Sequence, residues 1–121
     1  MEKVTLVLGA SPNPDRFSYK TIRNLQRRRI PVIAVGRRDA EIEGQRILTG
    51  LPSGLGYIHT VTLYMSAKYQ CEYFDYILSL NPKRIIFNPG TENPVLAAAA
   101  IKRGIEVLDD CILVMLNTGK F

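Results

Sequence analysis

Val4-Thr5-Leu6-Val7-Leu8-Gly9-Ala10-Ser11-Pro12-Asn13-Pro14-Asp15-Arg16-Phe17-Ser18 opens the chain, and Val32-Ile33-Ala34-Val35 follows after a helical pattern. The first five residues form a short apolar, β-branched run, as a strand buried on both faces requires. Gly9, Pro12 and Pro14 then interrupt regular structure. Ser18 is the expected N-cap of the next helix. In that helix Tyr19, Ile22, Leu25 and Gln26 share one face, and Lys20, Arg23, Asn24, Arg27 and Arg28 lie largely on the other. Pro31 marks the exit into the second strand. Strand, loop, helix and strand fit into about 32 residues, the size of a βαβ unit.

The pattern continues outward from this unit. Gly36 to Gly56 is glycine-rich with mixed charges and reads as a loop holding at most a short strand or turn, around Ile42 and Ile47-Leu48. Thr60-Val61-Thr62-Leu63-Tyr64 is a third strand. Ala67 to Leu80 is the next helix, ended by Asn81-Pro82. Arg84-Ile85-Ile86-Phe87 is a fourth strand. Pro94 suits the first turn of a helix that runs to Arg103, with Gly104 just past its end. Ile105-Glu106-Val107-Leu108 is a fifth strand, and Ile112 to Leu116 closes the core. Alternating strands and helices predict an α/β fold: one Rossmann-like domain over residues 1–121, with a doubly wound, parallel, five-stranded sheet and helices on both faces. Ligands of such sheets bind at the carboxyl ends of the strands, where the strand order reverses.

Composition narrows the function. The chain has 121 residues, 16 Lys and Arg against 11 Asp and Glu, and a formal net charge of +5. Hydrophobic residues at 46% and charged residues at 22% argue for a globular protein. No apolar run is long enough for a membrane span, and the start lacks a signal peptide's apolar region, so a cytoplasmic location is expected. Two cysteines, Cys71 and Cys111, and one histidine, His59, cannot make a disulfide scaffold or a multi-ligand metal site. The excess of cations suggests an anionic partner.

The loop after the first strand sits where a Rossmann fold places its phosphate-binding turn. Gly9 permits a tight turn. The helix that follows offers free N–H groups and the positive end of its dipole, and Arg16, Ser11 and Ser18 add donors that suit phosphate. A plain turn with a capping serine is the competing reading. Glycines at positions 11 and 14, which the dinucleotide fingerprint needs, are replaced by Ser11 and Pro14. An acidic residue for the ribose hydroxyls of NAD is missing after the second strand, where Gly36-Arg37-Arg38 stands instead. The two arginines read either as a solvated pair or as partners of a phosphorylated ribose, as in NADP or coenzyme A.

These residues resemble a known family. Gly9-Ala10-Ser11 through Arg16, Ser18 and Tyr19, then Pro31 to Val35 leading to Ile42-Glu43-Gly44, then Asn88 to Asn93, and finally Gly104 to Cys111 look like the small stand-alone CoA-binding proteins. Those are Rossmann-like domains related to the CoA-binding domain of succinyl-CoA synthetase α subunits and of ADP-forming acyl-CoA synthetases. The resemblance implies that Gly9, Ala10, Ser11, Arg16, Ser18 and Tyr19 meet the CoA phosphates. It implies that Val35, Gly36, Arg37 and Arg38 approach the adenosine and its 3′-phosphate, and that Tyr64, Met65 and Ser66 line the nucleotide cleft. Asn88, Pro89 and Gly90 would lie toward the pantetheine arm, and Cys111 matches a cysteine common in the family. Many relatives carry asparagine and proline where this chain has Gly36 and Arg37, so the adenine side departs from the family pattern.

Coenzyme A or an acyl-CoA is therefore the expected ligand, and a complete catalytic constellation is missing. The synthetases use a phosphohistidine and further domains. Here His59 precedes the third strand and falls at the sheet's amino edge. Cys111 is either a small buried residue or a thiol that meets the thiol of CoA, and Cys71 reads as core. Tyr69, Tyr73 and Tyr76 read as packing. An NADP-binding enzyme or regulator is the alternative. A nucleic-acid-binding protein is less favoured, because Arg27-Arg28-Arg29 lies at a helix C-terminus without a stacking platform. The sequence leaves open a protein partner or a homo-oligomer.

Overall fold

The computed structural model describes residues 2–121. Its elements run β1 (Thr5–Ala10), α1 (Phe17–Arg27), β2 (Val32–Gly36), β3 (Ala40–Ile42), β4 (Gln45–Leu48), β5 (Thr60–Leu63), α2 (Ala67–Gln70), a 3-10 turn (Cys71–Tyr73), α3 (Phe74–Ser79), β6 (Arg84–Phe87), α4 (Pro94–Lys102), β7 (Glu106–Asp109) and α5 (Ile112–Asn117). The strands form one sheet in the order β3-β4-β2-β1-β5-β6-β7. All neighbours are parallel except β3 and β4. The α/β class with helices on both faces is as expected. The sheet has seven strands rather than five.

The two additional strands come from the stretch read as a loop. Ile42 and Gln45 pair across Glu43-Gly44, both at positive φ, so a two-residue hairpin turn joins β3 to β4. Arg46 Nη2 and Asp39 Oδ2 meet at 2.9 Å and brace the hairpin, while Ile42 and Ile47 are buried beneath α1. The solvent-exposed pair lowers the Asp39 pKa through its hydrogen bond and charge contact with Arg46.

Side chains alternate between two cores, as the period of a strand demands. Leu6, Leu8, Val61, Leu63, Ile85 and Phe87 face Ile77 and Leu78 of α3 and Leu96 and Ala100 of α4. Val7, Ala34 and Ile86 face Ile22 and Leu25 of α1 and Ile112, Met115 and Leu116 of α5. Burying each such Leu or Ile stabilises the fold by roughly 1.5–3 kcal/mol. Ile112 to Leu116 thus closes the core as a helix: residues at positions i, i+3 and i+4 of α5 are the buried ones. The helix expected over Ala67–Leu80 is divided by the 3-10 turn. No helix among the described residues is long and apolar enough to cross a membrane.

From β1 the sheet grows through β2 and β4 to one side and through β5, β6 and β7 to the other. The strand order therefore reverses between β1 and β5, and the loops leaving β1, β2, β5 and β6 converge above that point.

Candidate functional site

A cavity of about 960 Å³ opens at the carboxyl edge of the sheet, over the reversal point. That size lies within the range of ligand pockets, which reach about 1,000 Å³. Four loops build it. The first, Ser11 to Arg16, is held by its own side chains: Ser11 Oγ accepts from the Asn13 N–H at 3.1 Å, and Asn13 Oδ1 accepts from the Asp15 N–H at 3.0 Å. These short-range bonds let a loop with two prolines hold a defined turn.

Arg16, not Ser18, is the N-cap of α1. It is extended at φ −82° and ψ 144°, and no side chain caps the helix. The first turn carries no acidic residue either. Free backbone N–H groups and the positive helix end therefore face the cavity together with the Arg16 guanidinium. Ser18 sits one position into the helix and is buried.

Two glycines bring the strand ends together. Gly9, at φ +98°, interrupts the β1–β2 register as a bulge, and a Cβ there would lie 3.0 Å from the Tyr64 carbonyl carbon. A Cβ on Gly36 would lie 2.3 Å from the Ala10 carbonyl oxygen. The glycines thus allow backbone to approach backbone at the floor of the cavity.

The far wall rests on a buried amide network. Gln70 is fully buried and donates to the carbonyls of Met65 at 2.9 Å and Thr91 at 2.7 Å, and its Oε1 accepts from Asn93. Asn88 Nδ2 donates to Thr62 Oγ1 and to the Leu63 carbonyl, while its Oδ1 accepts from the Ile112 N–H. These bonds tie the loops after β5 and β6 to the starts of α4 and α5.

Across the opening, the Arg37 guanidinium lies 4.9 Å from the centre of the Tyr69 ring, a cation–π contact between the two halves of the sheet. The Tyr64 phenol hydrogen-bonds the Thr21 hydroxyl of α1, and burial pushes its pKa up to about 12.

Of the residues expected at a site, Gly9, Ala10, Ser11, Arg16, Ser18, Gly36, Arg37, Arg38, Tyr64, Met65, Ser66, Pro89 and Gly90 line this cavity. Four do not. Tyr19 borders a shallow groove on the flank of α1. Val35 is fully buried in the sheet core. Asn88 is buried, and its amide is used by the network above. Cys111 is the half-buried N-cap of α5.

The structure adds Pro12, Asn13, Phe17, Tyr69, Tyr73 and Thr91 to the lining. The tyrosines were readable only as packing, because a regular helix over 67–80 would put Tyr69, Tyr73 and Tyr76 on one buried face. The 3-10 turn separates them: Tyr69 and Tyr73 face the cavity, while the Tyr76 hydroxyl donates to the Pro52 carbonyl. Cys71 is exposed rather than core. His59 lies at the opposite, amino edge, where its Nδ1 is 2.7 Å from Thr60 Oγ1. Burial, then the charges of Arg84, Lys3 and Lys83, lower its pKa.

The family model described as a CoA binding domain matches residues 3–117. The chain belongs to the CoA-binding domain family. The match takes in every loop of the cavity. Among solved structures, a crystal structure described only as that of an uncharacterized protein is 43% identical, with a TM-score of 0.94, and the alignment covers 100% of this chain and 99% of that one. A hypothetical protein from Pyrococcus horikoshii OT3 is 23% identical, with a TM-score of 0.84 over 97% of this chain and 82% of that one. A cell-free-expressed protein from Thermus thermophilus is 22% identical, with a TM-score of 0.82 over 99% and 91%. These two likenesses concern the fold alone. No curated protein matches the chain.

Proposed function

We propose that this CoA-binding domain holds coenzyme A or an acyl-CoA in the cavity over the β1/β5 reversal point, and that its work is recognition rather than catalysis. The observation that carries the reading is the convergence there of an uncapped helix N-terminus with Arg16, Arg37 and Arg38. Three cations and free N–H groups suit a ligand with a pyrophosphate and a separate ribose phosphate. The α1 N-terminus, Ser11 and Arg16 hold the pyrophosphate. Arg37 and Arg38 meet the 3′-phosphate. Met65, Ser66, Pro89 and Gly90 border the path of the pantetheine arm. The remaining member of the expected wall, Tyr64, keeps a neutral phenol turned to Thr21 and serves as packing.

His59, the chain's one histidine, sits at the far edge of the sheet and is unavailable as a phosphoryl carrier at the cavity.

Isothermal titration with CoA, dephospho-CoA, NADP and NAD tests the proposal. CoA should bind most tightly. Removing the 3′-phosphate, or replacing Arg37 by alanine, should each weaken CoA by about tenfold, the value of one charge-assisted contact of roughly 1.5 kcal/mol. Arg16→Ala should weaken all four ligands. NADP binding without CoA binding would replace this reading with that of an NADP protein.

A further inference from the structure

The net charge of the molecule is concentrated on one helix, α1, of which the cavity uses only the N-terminus. Residues 16–29 contain six of the sixteen Lys and Arg, namely Arg16, Lys20, Arg23, Arg27, Arg28 and Arg29, and no Asp or Glu. The remaining ten cations meet eleven carboxylates, so the rest of the chain is close to neutral. Only Arg16 of the six lines the cavity. Among the described residues the one ion pair is Arg46–Asp39, so none of the α1 cations is matched by a carboxylate.

Their arrangement is a surface rather than a scatter. Lys20, Arg23 and Arg27 lie on one stripe about 10 Å long, at the helical rise of 1.5 Å per residue. With Pro14 and Tyr19 they border a groove of about 210 Å³ on the outer side of α1. Phe17, 65% exposed, stands at one end, with Lys20 Nζ 5.2 Å from its ring centre. α5 lies alongside: Arg28 Nη2 donates to Asn117 Oδ1 at 3.3 Å. That helix, Ile112–Asn117, carries no charge and exposes Val114.

We propose that the outer face of α1 and α5 docks an acidic, amphipathic polypeptide surface of another protein. Carboxylates of that partner meet Lys20, Arg23 and Arg27, and its apolar side chains cover Phe17 and Val114. An aromatic anchor beside arginines and an apolar patch is the composition of a protein interface. A second copy of this chain is a poor occupant, because α1 against α1 would oppose cation to cation. A polynucleotide is also disfavoured. The stripe is short and bounded by carboxylates, with Asp15 before it and Glu41 and Glu43 on the hairpin that Gln26 grips through the Ile42 and Glu43 carbonyls. A continuous run of phosphates would meet those carboxylates, whereas a polypeptide can space its charges to avoid them.

The test uses the full chain and a fluorescent amphipathic peptide about four turns long, glutamates on one face and leucines on the other. Anisotropy is read at about 20 mM and about 150 mM salt, since screening sets how far charge pairing reaches. The double reversal Arg23→Glu/Arg27→Glu should weaken binding by at least about tenfold, and the equal reversal Lys102→Glu/Arg103→Glu at the end of α4 by less than about twofold. Arg23→Gln/Arg27→Gln, which removes charge without adding any, should show the same order should the reversal fail to fold. CoA titration of the same variants should be unchanged, so this inference and the CoA reading fail separately. Equal weakening by the α1 and α4 reversals, tighter binding of a single-stranded oligonucleotide of equal charge, or no peptide binding at about 20 mM salt would each overturn the proposal.

Discussion

Gly36 carries a constraint that its neighbours cannot relieve. A Cβ there would lie 2.3 Å from the Ala10 carbonyl oxygen, and that oxygen belongs to backbone held in the β1–β2 ladder. Gly50 is the useful contrast: it sits at φ +71°, but a Cβ would meet nothing within 4 Å. Gly36→Ala should therefore cost about 3 kcal/mol, the upper end of overpacking. Gly50→Ala should cost about 1 kcal/mol of left-handed strain. Urea unfolding of the two variants measures the difference. Equal costs would mean that β1 and β2 do not approach as described. The distinction was partly legible in the sequence. Gly9 was readable as a tight turn after β1, whereas Gly36 was read only as part of the approach to the adenosine. The nearest obstacles at Gly9 and Gly36 are instead backbone atoms of Tyr64 and Ala10.

At the scale of elements, β1, β2, β5 and β6 were readable because burial on both sheet faces demands continuous apolar runs, the edge strand β7 from its place after α4, α1 from its amphipathic face, and α4 from Pro94 and its alanines. The β3–β4 hairpin was not, because Ile42 and Ile47 are its only fully buried apolar side chains and the other positions are polar, exposed or only partly buried. Ile112 to Leu116 was ambiguous since a five-residue apolar run fits either state, and only packing beside α1 selects the helix. The cap of α1 was misplaced because Ser18 has the right chemistry, yet the Ser11–Asn13–Asp15 bonds end the loop two residues earlier. Of the site, the loop positions were legible and the aromatic wall was not, since the break at Cys71–Tyr73 has no sequence punctuation. The β5–α1 junction makes a prediction of its own. Tyr64, just after β5, bonds Thr21 of α1, and burial raises its phenol from the usual 10 to about 12. The unfolded chain releases this proton more readily than the folded one. The contribution to stability is therefore complete below pH 10 and lost as pH rises from 10 toward 12. Between about pH 9 and about pH 11.5 the wild type should lose about 2 kcal/mol more than Tyr64→Phe. Urea unfolding at both pH values checks this, and equal losses would show that Tyr64 ionises freely in the fold.

For the whole molecule, the cavity belongs to both halves of the sheet. Arg37 and Arg38 come from the β2 side, Tyr69, Tyr73 and Gly90 from the β5 and β6 side, and the α1 N-terminus stands between them. A ligand that contacts all three must order both halves together. It binds the native chain only, so at a free concentration 100 times its Kd it adds about 2.7 kcal/mol to the unfolding free energy. For a chain of this size that corresponds to a rise in Tm of roughly 10 °C. Local opening should respond in the same way. Hydrogen exchange at the amides of 9–11, 36–38, 64–70 and 90–91 should slow in parallel when CoA is added, because opening any one loop breaks contacts shared with the rest. A lone rise in protection on the β2 side would mean that only the ribose phosphate end is held. A Tm unmoved by saturating CoA would mean that the native cavity does not take it. A tenfold increase in salt should reduce the Tm gain, since the contacts that distinguish CoA from its dephosphorylated form are charge pairs at a solvent-open edge.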